Sequence, residues 1–295
     1  MKRNTWYSLL ILVLAAAMLL SGCRRRTSQE KRESHRRGGR ETVETVPTET
    51  LPPETVPWVP SAPTIPRDIP DPSAPTRPRE PLIYEASDPN FVSQNPQWEE
   101  RTFQWESPNG YGTLQFTGYV DAEMFRYYKS QERIWGRENY YKYLLDPNNR
   151  KLSAYLIEGI KEATKGKNLN DSAVAREIAA FVQDVIEYEY DDVSTGMEEY
   201  PRYPVETVYE KIGDCEDTSF LMASLLYEWG YEVGLLHLPG HLAVAIRTSD
   251  TYSGGSYYEY NGHRYLYIES TGSGFKIGEI PKDEMNQQAE LFLIP

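Results

Sequence analysis

The chain has 295 residues, a formal net charge of −13 and two cysteines. Such a length holds one folded domain with a substantial core and leaves residues over for non-globular extensions. The acid excess is concentrated in residues 81–295, which carry 35 acidic and 18 basic side chains; a body so charged repels phosphate backbones, which excludes nucleic acid as its partner.

The N-terminus, "MKRNTWYSLLILVLAAAMLLSGC", sets two basic residues before an apolar stretch from Leu9 to Leu20 and small residues ending at Cys23. This is the layout of a signal peptide, and its apolar core is shorter than the roughly 20 residues that a helix needs to span a bilayer. Leu20-Ser21-Gly22-Cys23 resembles a bacterial lipobox, after which residues 1–23 act as a signal and Cys23 becomes the lipid-carrying first residue. Arg24, Arg25 and Arg26 follow at once, and positive charge there favours cytoplasmic retention, which keeps a signal anchor as the alternative. On the lipobox reading the protein is anchored by lipid at the extracytoplasmic face of the membrane. Disulfides form in that compartment, yet Cys215 then has no partner cysteine in the chain.

Residues 24–80 read as a stalk. From Arg24 to Arg40 eight Arg or Lys stand against two Glu, a run that attracts anionic headgroups when held near them and is otherwise a solvated tail. From Pro47 to Pro81 there are 12 prolines in 35 residues, a density that disfavours ladders and helices and promotes extended polyproline II. At about 3.1 Å per residue the stalk reaches up to about 170 Å.

The globular part begins near residue 81, with residues 81–165 as a hairpin and helices and residues 166–295 as the core that carries the chemistry. "RTFQWESPNGYGTLQFTGYV" alternates apolar and polar residues on both sides of Pro108-Asn109-Gly110, which predicts a hairpin. "DAEMFRYYKSQERI", "ENYYKYLL" and "KLSAYLIEGIKEATK" are amphipathic at helical period, and Val174, Ile178, Phe181, Val182 and Val185 predict a helix opening near Asp171. Beyond Gly230 the period changes to two: "YEVGLLHL", "HLAVAIRT", "YYEY" and "HRYLYIES" predict strands, with "FKIGEI" and "LFLI" as weaker ones. Helices first and strands later indicate an α+β domain.

Between these halves stands "IGDCEDTSFLMASLLYEWG". Phe220 to Leu226 is apolar on nearly every face, as in a helix buried on all sides, and Gly230 supplies the stop. Asp214 is a good N-cap with Asp217 three residues on, so these carboxylates serve the first turn as a capping box. Cys215 is then the first helical residue, where the helix dipole favours a thiolate and the neighbouring acids oppose it.

A cationic partner tips that balance. His241 opens the strand "HLAVAI", and "YLYIES" puts Tyr265, Tyr267 and Glu269 on one face. If the two strands pair antiparallel about residue 255, His241 lies directly opposite Glu269, within hydrogen-bonding reach. Cys215, His241 and Glu269 then make a nucleophile, a base and an orienting acid, the logic of nucleophilic acyl transfer. The Cys215 N–H can help hold an oxyanion.

At these residues the chain resembles the transglutaminase-like superfamily, a papain-related fold. The likeness covers about residues 170–280 and is strongest from "YPVETVYEKIGDCEDTSF" to "HLAVAI". It implies an α+β core with a buried nucleophile helix packed on an antiparallel sheet, and it matches Cys215 and His241 to the family's cysteine and histidine. The third member is more often Asp, where this chain offers Glu269. The family includes cross-linkers, cysteine peptidases, deglycosylating amidases and inactive domains, so the resemblance implies a thiol directed at a protein or peptide amide and leaves the substrate open. Hydrolysis is favoured over cross-linking because water is the default acceptor; the rival is a non-catalytic module that binds through the same cleft. No cofactor is expected. His237 and His241 fail as a zinc pair because Pro239 and Gly240 break any helix between them, and Asp191, Asp192, Glu198 and Glu199 lack EF-hand spacing and read as a solvated loop.

Overall fold

The structure is a computed structural model that describes residues 95–248 and 254–295, together with the backbone at 55–56 and 58–59. Cys23, the signal and the basic run lie outside the described residues. Strands β3 (Trp98–Glu106) and β4 (Thr113–Asp121) form the expected hairpin, paired from Trp98–Asp121 to Glu106–Thr113. Alternation turns Phe103, Trp105 and Leu114 into the core. The Trp105 indole donates to Glu177 Oε2 at 2.7 Å, and Ser107 and Asn109 donate to Glu177 Oε1 at 2.5 and 2.7 Å. A fully buried carboxylate thus fastens the turn end of the hairpin to helix α4 (Asp171–Val185).

Helix α1 (Ala122–Lys129) starts at the Asp121 cap but stops short of the predicted end at Ile134. The Arg133 guanidinium folds back on that end and donates to the Tyr128 carbonyl at 2.6 Å, serving one of the acceptors left at a helix C-terminus. "ENYYKYLL" yields a 3₁₀ turn and the short α2 (Tyr141–Leu144). Helix α3 (Pro147–Ala163) begins with Pro at its first position and Asp146 as cap, accepting from the N–H groups of Asn148 and Asn149 at 2.9 and 3.2 Å. That is where a missing proline N–H costs nothing.

After α4 come β5 (Glu187–Tyr188), α5 (Asp191–Ser194), α6 (Pro204–Glu210) and β6 (Ile212–Gly213), with β6 parallel to β5. Helix α7 (Cys215–Trp229) has the predicted capping box and ends at Gly230 with φ +113°, a conformation that costs glycine little. Its Phe220, Leu221, Met222, Leu225 and Leu226 are fully buried, and each such side chain contributes about 1.5–3 kcal/mol by leaving water.

The remaining strands are β7 (Val233–Leu238), β8 (His241–Thr248), β9 (Tyr257–Tyr260), β10 (His263–Ile268) and β11 (Ala289–Leu293). They form an antiparallel sheet in the order β11-β7-β8-β10-β9, extended at its edges by the dipeptides β1 (Thr55–Val56) on β11 and β2 (Trp58–Val59) on β9. Ladder pairing inside the Pro-rich stretch runs against the expectation from composition; both dipeptides are proline-free and sit at sheet edges, where a neighbouring proline is tolerated. "FKIGEI" is not a strand: Gly278, at φ +83°, lies so close to Gly255 that a Cβ on it would meet the Gly255 Cα at 2.7 Å.

One face of the sheet, with Leu242, Val244, Ile246, Leu266 and Ile268, joins the helical core around α7. The other, with Leu236, Ala243, Ala245, Tyr265 and Tyr267, forms a second apolar cluster. The result is α+β, a buried helix packed on an antiparallel sheet.

Candidate active site

Cys215 is the first residue of α7 because Asp214 and Asp217 fix where that helix starts. Asp214 Oδ1 accepts from the Glu216 N–H at 3.2 Å, and Asp217 Oδ2 accepts from the Asp214 N–H at 3.3 Å. The thiol is 3% exposed and donates to Glu216 Oε2 at 2.7 Å.

His241 is the first residue of β8, following the Pro239-Gly240 turn that joins it to β7. Its Nε2 lies 3.0 Å from Glu269 Oε2. Glu269 follows the last residue of β10 and is 1% exposed. Its Oε2 also accepts from the Tyr267 hydroxyl at 2.6 Å, and its Oε1 accepts from the N–H groups of Ser270 and Thr271, both at 2.9 Å, and from the Thr271 hydroxyl at 2.7 Å. Burial pushes this carboxyl up, but the bond and charge of His241, then the bonds from Tyr267 and Thr271, outweigh it and hold it at about 2. The acid is therefore an ionised acceptor with every lone pair directed.

The predicted register is corrected by two residues. Strands β8 and β10 pair Ala245 with Tyr267 and Val244 with Ile268, so the frame runs about residue 256 instead of 255. A slip of two leaves every side chain on its own face, so alternation cannot distinguish the two frames. His241 and Glu269 consequently meet on a diagonal just beyond the end of the ladder.

The head of α7 is tied to both strand ends one turn below the sulfur. Ser219 Oγ donates to the Leu242 carbonyl at 3.0 Å, and Ser270 Oγ lies 2.9 Å from Thr218 Oγ1 and 3.0 Å from Ser219 Oγ. Leu242 adjoins His241 and Ser270 adjoins Glu269. The structure thus joins His241 to Glu269 directly, and links the helix of Cys215 to that pair through their chain neighbours. Gln183 on α4 adds a clamp, its Nε2 donating to the Glu269 carbonyl at 2.7 Å.

Sequence reasoning missed Tyr267, Ser270 and Thr271 as ligands of the acid, although "YIEST" carries a signal: a carboxylate followed by two residues whose N–H groups can fold back on it. It also missed Arg202, which nothing in "YPRYP" announces. Asp191 is corrected from solvated to buried, because Arg202 Nη1 donates to Asp191 Oδ1 at 2.7 Å and to Asp217 Oδ2 at 2.6 Å.

Among the described residues, two groups, Asp214-Cys215-Glu216 and Asp191-Asp214-Asp217, each bring their acceptor atoms within 4.8 Å of one another. The carboxylate of Asp214 caps the helix, the thiol is engaged with Glu216, and Arg202 already supplies a cation to Asp191 and Asp217, so neither group is assigned as a metal centre. A separate apolar cavity of about 650 Å³ is lined by residues including Trp98, Tyr119, Met124, Leu152, Tyr155 and Tyr209. Cys215, His241 and Glu269 are not among its lining residues.

Residues 155–253 match the family model described as a transglutaminase-like domain, a match that ends before Glu269. Two solved structures of LapG from Legionella pneumophila are similar over 55% of this chain: one at 17% identity over 90% of its own length, and an EGTA-treated one at 16% identity over 87%, both with a TM-score of 0.32. At that score the two likenesses lend no weight to fold or function. No curated protein matches the chain. Among the described residues no helix is long and apolar enough to cross a membrane. Over residues 155–253 the chain is similar to a transglutaminase-like domain.

Proposed function

We propose that this transglutaminase-like domain acts on protein or peptide amides through a thioester on Cys215, at the extracytoplasmic face of a membrane to which Cys23 is lipid-anchored. The observation that carries the catalytic reading is the imidazole of His241 held against an ionised, fully buried Glu269 beside the head of the Cys215 helix. Nε2 faces the acid, so Nδ1 is the nitrogen left to take the thiol proton. Sulfur then attacks the amide carbonyl, the proton passes to the departing amine, and water releases the acid from the thioester while His241 serves again as base. Glu269 stabilises the imidazolium formed on the way. Hydrolysis is preferred to cross-linking because water needs no binding site of its own.

The burial of the thiol and its bond to Glu216 favour the second reading, a binding module that shares the cleft without turnover. Incubation of the full chain with a proteome-derived peptide mixture, followed by mass spectrometry, separates the readings. Hydrolysis creates new termini or converts side-chain amides to acids, cross-linking joins peptides, and both vanish in Cys215→Ala. An unchanged peptide mixture in all samples contradicts the enzymatic reading.

A further inference from the structure

Arg202 is fully buried in the loop before α6, and each of its three guanidinium nitrogens has an acceptor. Nη1 bonds Asp191 and Asp217, Nη2 donates to Ser194 Oγ at 2.6 Å, and Nε lies 3.3 Å from Glu210 Oε2. Its backbone N–H donates to Asp217 Oδ1 at 2.6 Å. Asp217 is fully buried as well, and burial pushes its carboxyl up from the ordinary range while the guanidinium pulls against it. The same carboxylate accepts the Asp214 N–H in the capping box that makes Cys215 the first helical residue.

Asp214 links this cluster to the sulfur. Its carboxylate lies within 4.8 Å of Cys215 Sγ on one side and of the Asp191 and Asp217 carboxylates on the other. Acids stacked behind a thiol disfavour the thiolate, and a buried acid without a counter-charge is costly in itself. The guanidinium bears on both problems, since it supplies a counter-charge between the two rear acids and fixes the carboxylate that closes the helix.

We propose that Arg202 is a positioning residue for the Cys215 thiol, holding the Asp217 carboxylate at the N-terminus of α7 and offsetting the buried acids behind the sulfur. This rests on Cys215 being the nucleophile. Among the described residues, the charged and titratable groups around the helix head include Asp214 at its cap, Glu216 and Asp217 on α7, Asp191 on α5, Glu210 on α6, Tyr140 facing Glu216 and Glu199, and the His241–Glu269 pair tied to the helix through Leu242 and Ser270. Arg202 is the cation that bonds Asp191 and Asp217 together.

The test is the rate of Cys215 alkylation against pH in the full chain, in a Cys23→Ser background, with far-UV circular dichroism to confirm folding. Arg202→Gln moves the midpoint up by about one pH unit, which makes labelling roughly tenfold slower on the acid side. Arg202→Lys keeps the charge without the fork and recovers most of that shift. Because loss of a buried cation can unfold the domain, Asp191→Asn is the second arm: it removes an acid, leaves Arg202 on Asp217 and lowers the midpoint. Midpoints unmoved in the folded variants, Asp191→Asn included, overturn the proposal. A wild-type midpoint at the ordinary thiol value, indifferent to His241→Ala, defeats the nucleophile reading instead.

Discussion

Nε2 of His241 lies 3.0 Å from Oε2 of Glu269, although the ladder pairs Val244 with Ile268 and so offsets these two residues by one pleat. The contact exists because Glu269 is past the last ladder bond, where the N–H groups of Ser270 and Thr271 turn its carboxylate back toward the start of β8. Loop atoms, more than sheet register, orient the acid.

That acid makes stability depend on pH in a defined direction. The Glu269 carboxyl sits at about 2 against an ordinary 4.5, so its contribution is fully present above about pH 4.5 and is lost as pH falls through 2. Glu269→Gln is expected to lose about 3 kcal/mol at pH 7, with the deficit shrinking as pH drops below 4.5. Urea unfolding of both proteins at pH 7, 4 and 3 checks this, and a deficit that stays constant with pH contradicts it.

Tyr267→Phe removes one donor to the same carboxylate and leaves the ring in place. A hydrogen bond to a charged group contributes about 1.5–3 kcal/mol, and a loss of that size at pH 7 is expected by chemical denaturation. A loss near zero means that the hydroxyl does not serve Glu269.

Glu216 Oε2 accepts a hydrogen bond from the Cys215 thiol, with Sγ at 2.7 Å. Glu216→Gln takes away the adjacent negative charge, and alkylation of Cys215 near neutral pH is expected to accelerate several-fold. A slower or equal rate shows that Glu216 is not what holds the thiol protonated.

The hairpin is predicted to depend on one buried carboxylate. Glu177→Ala leaves the Trp105, Ser107 and Asn109 donors without their acceptor and is expected to cost about 3 kcal/mol or more, because orphaned buried donors forfeit their full desolvation energy. Thermal unfolding of the variant measures it, and a change below about 1 kcal/mol contradicts the anchoring role.

Anchoring is tested at Cys23. Cys23→Ser is expected to release the protein from membranes or leave its N-terminus unprocessed; a variant that stays in the membrane fraction with the same N-terminus as the wild type contradicts a lipid anchor.

Much of this architecture is legible without coordinates. The capping box at Asp214 and Asp217, the all-round apolar helix after Cys215 and the stop at Gly230 are local, and short-range physics determines them. Asn261 and Gly262, the two residues between β9 and β10, take φ values of +50° and +77°, as the two-residue hairpin turn that Asn-Gly favours requires. Three features were hidden for different reasons. The β8–β10 register was degenerate under a two-residue slip, the early end of α1 is met by a guanidinium five residues beyond Tyr128, and the Arg202 cluster unites residues from three segments that share no pattern. Buried ion networks are made by tertiary contacts, and periodicity is silent about them.

The most direct test of the central claim is the pH dependence of Cys215 alkylation in the full chain, compared with His241→Ala. A histidine-activated thiol labels rapidly near pH 6 and slows markedly when the imidazole is removed. A rate that rises only above about pH 8, as for an ordinary thiol, and is the same in His241→Ala would contradict the account.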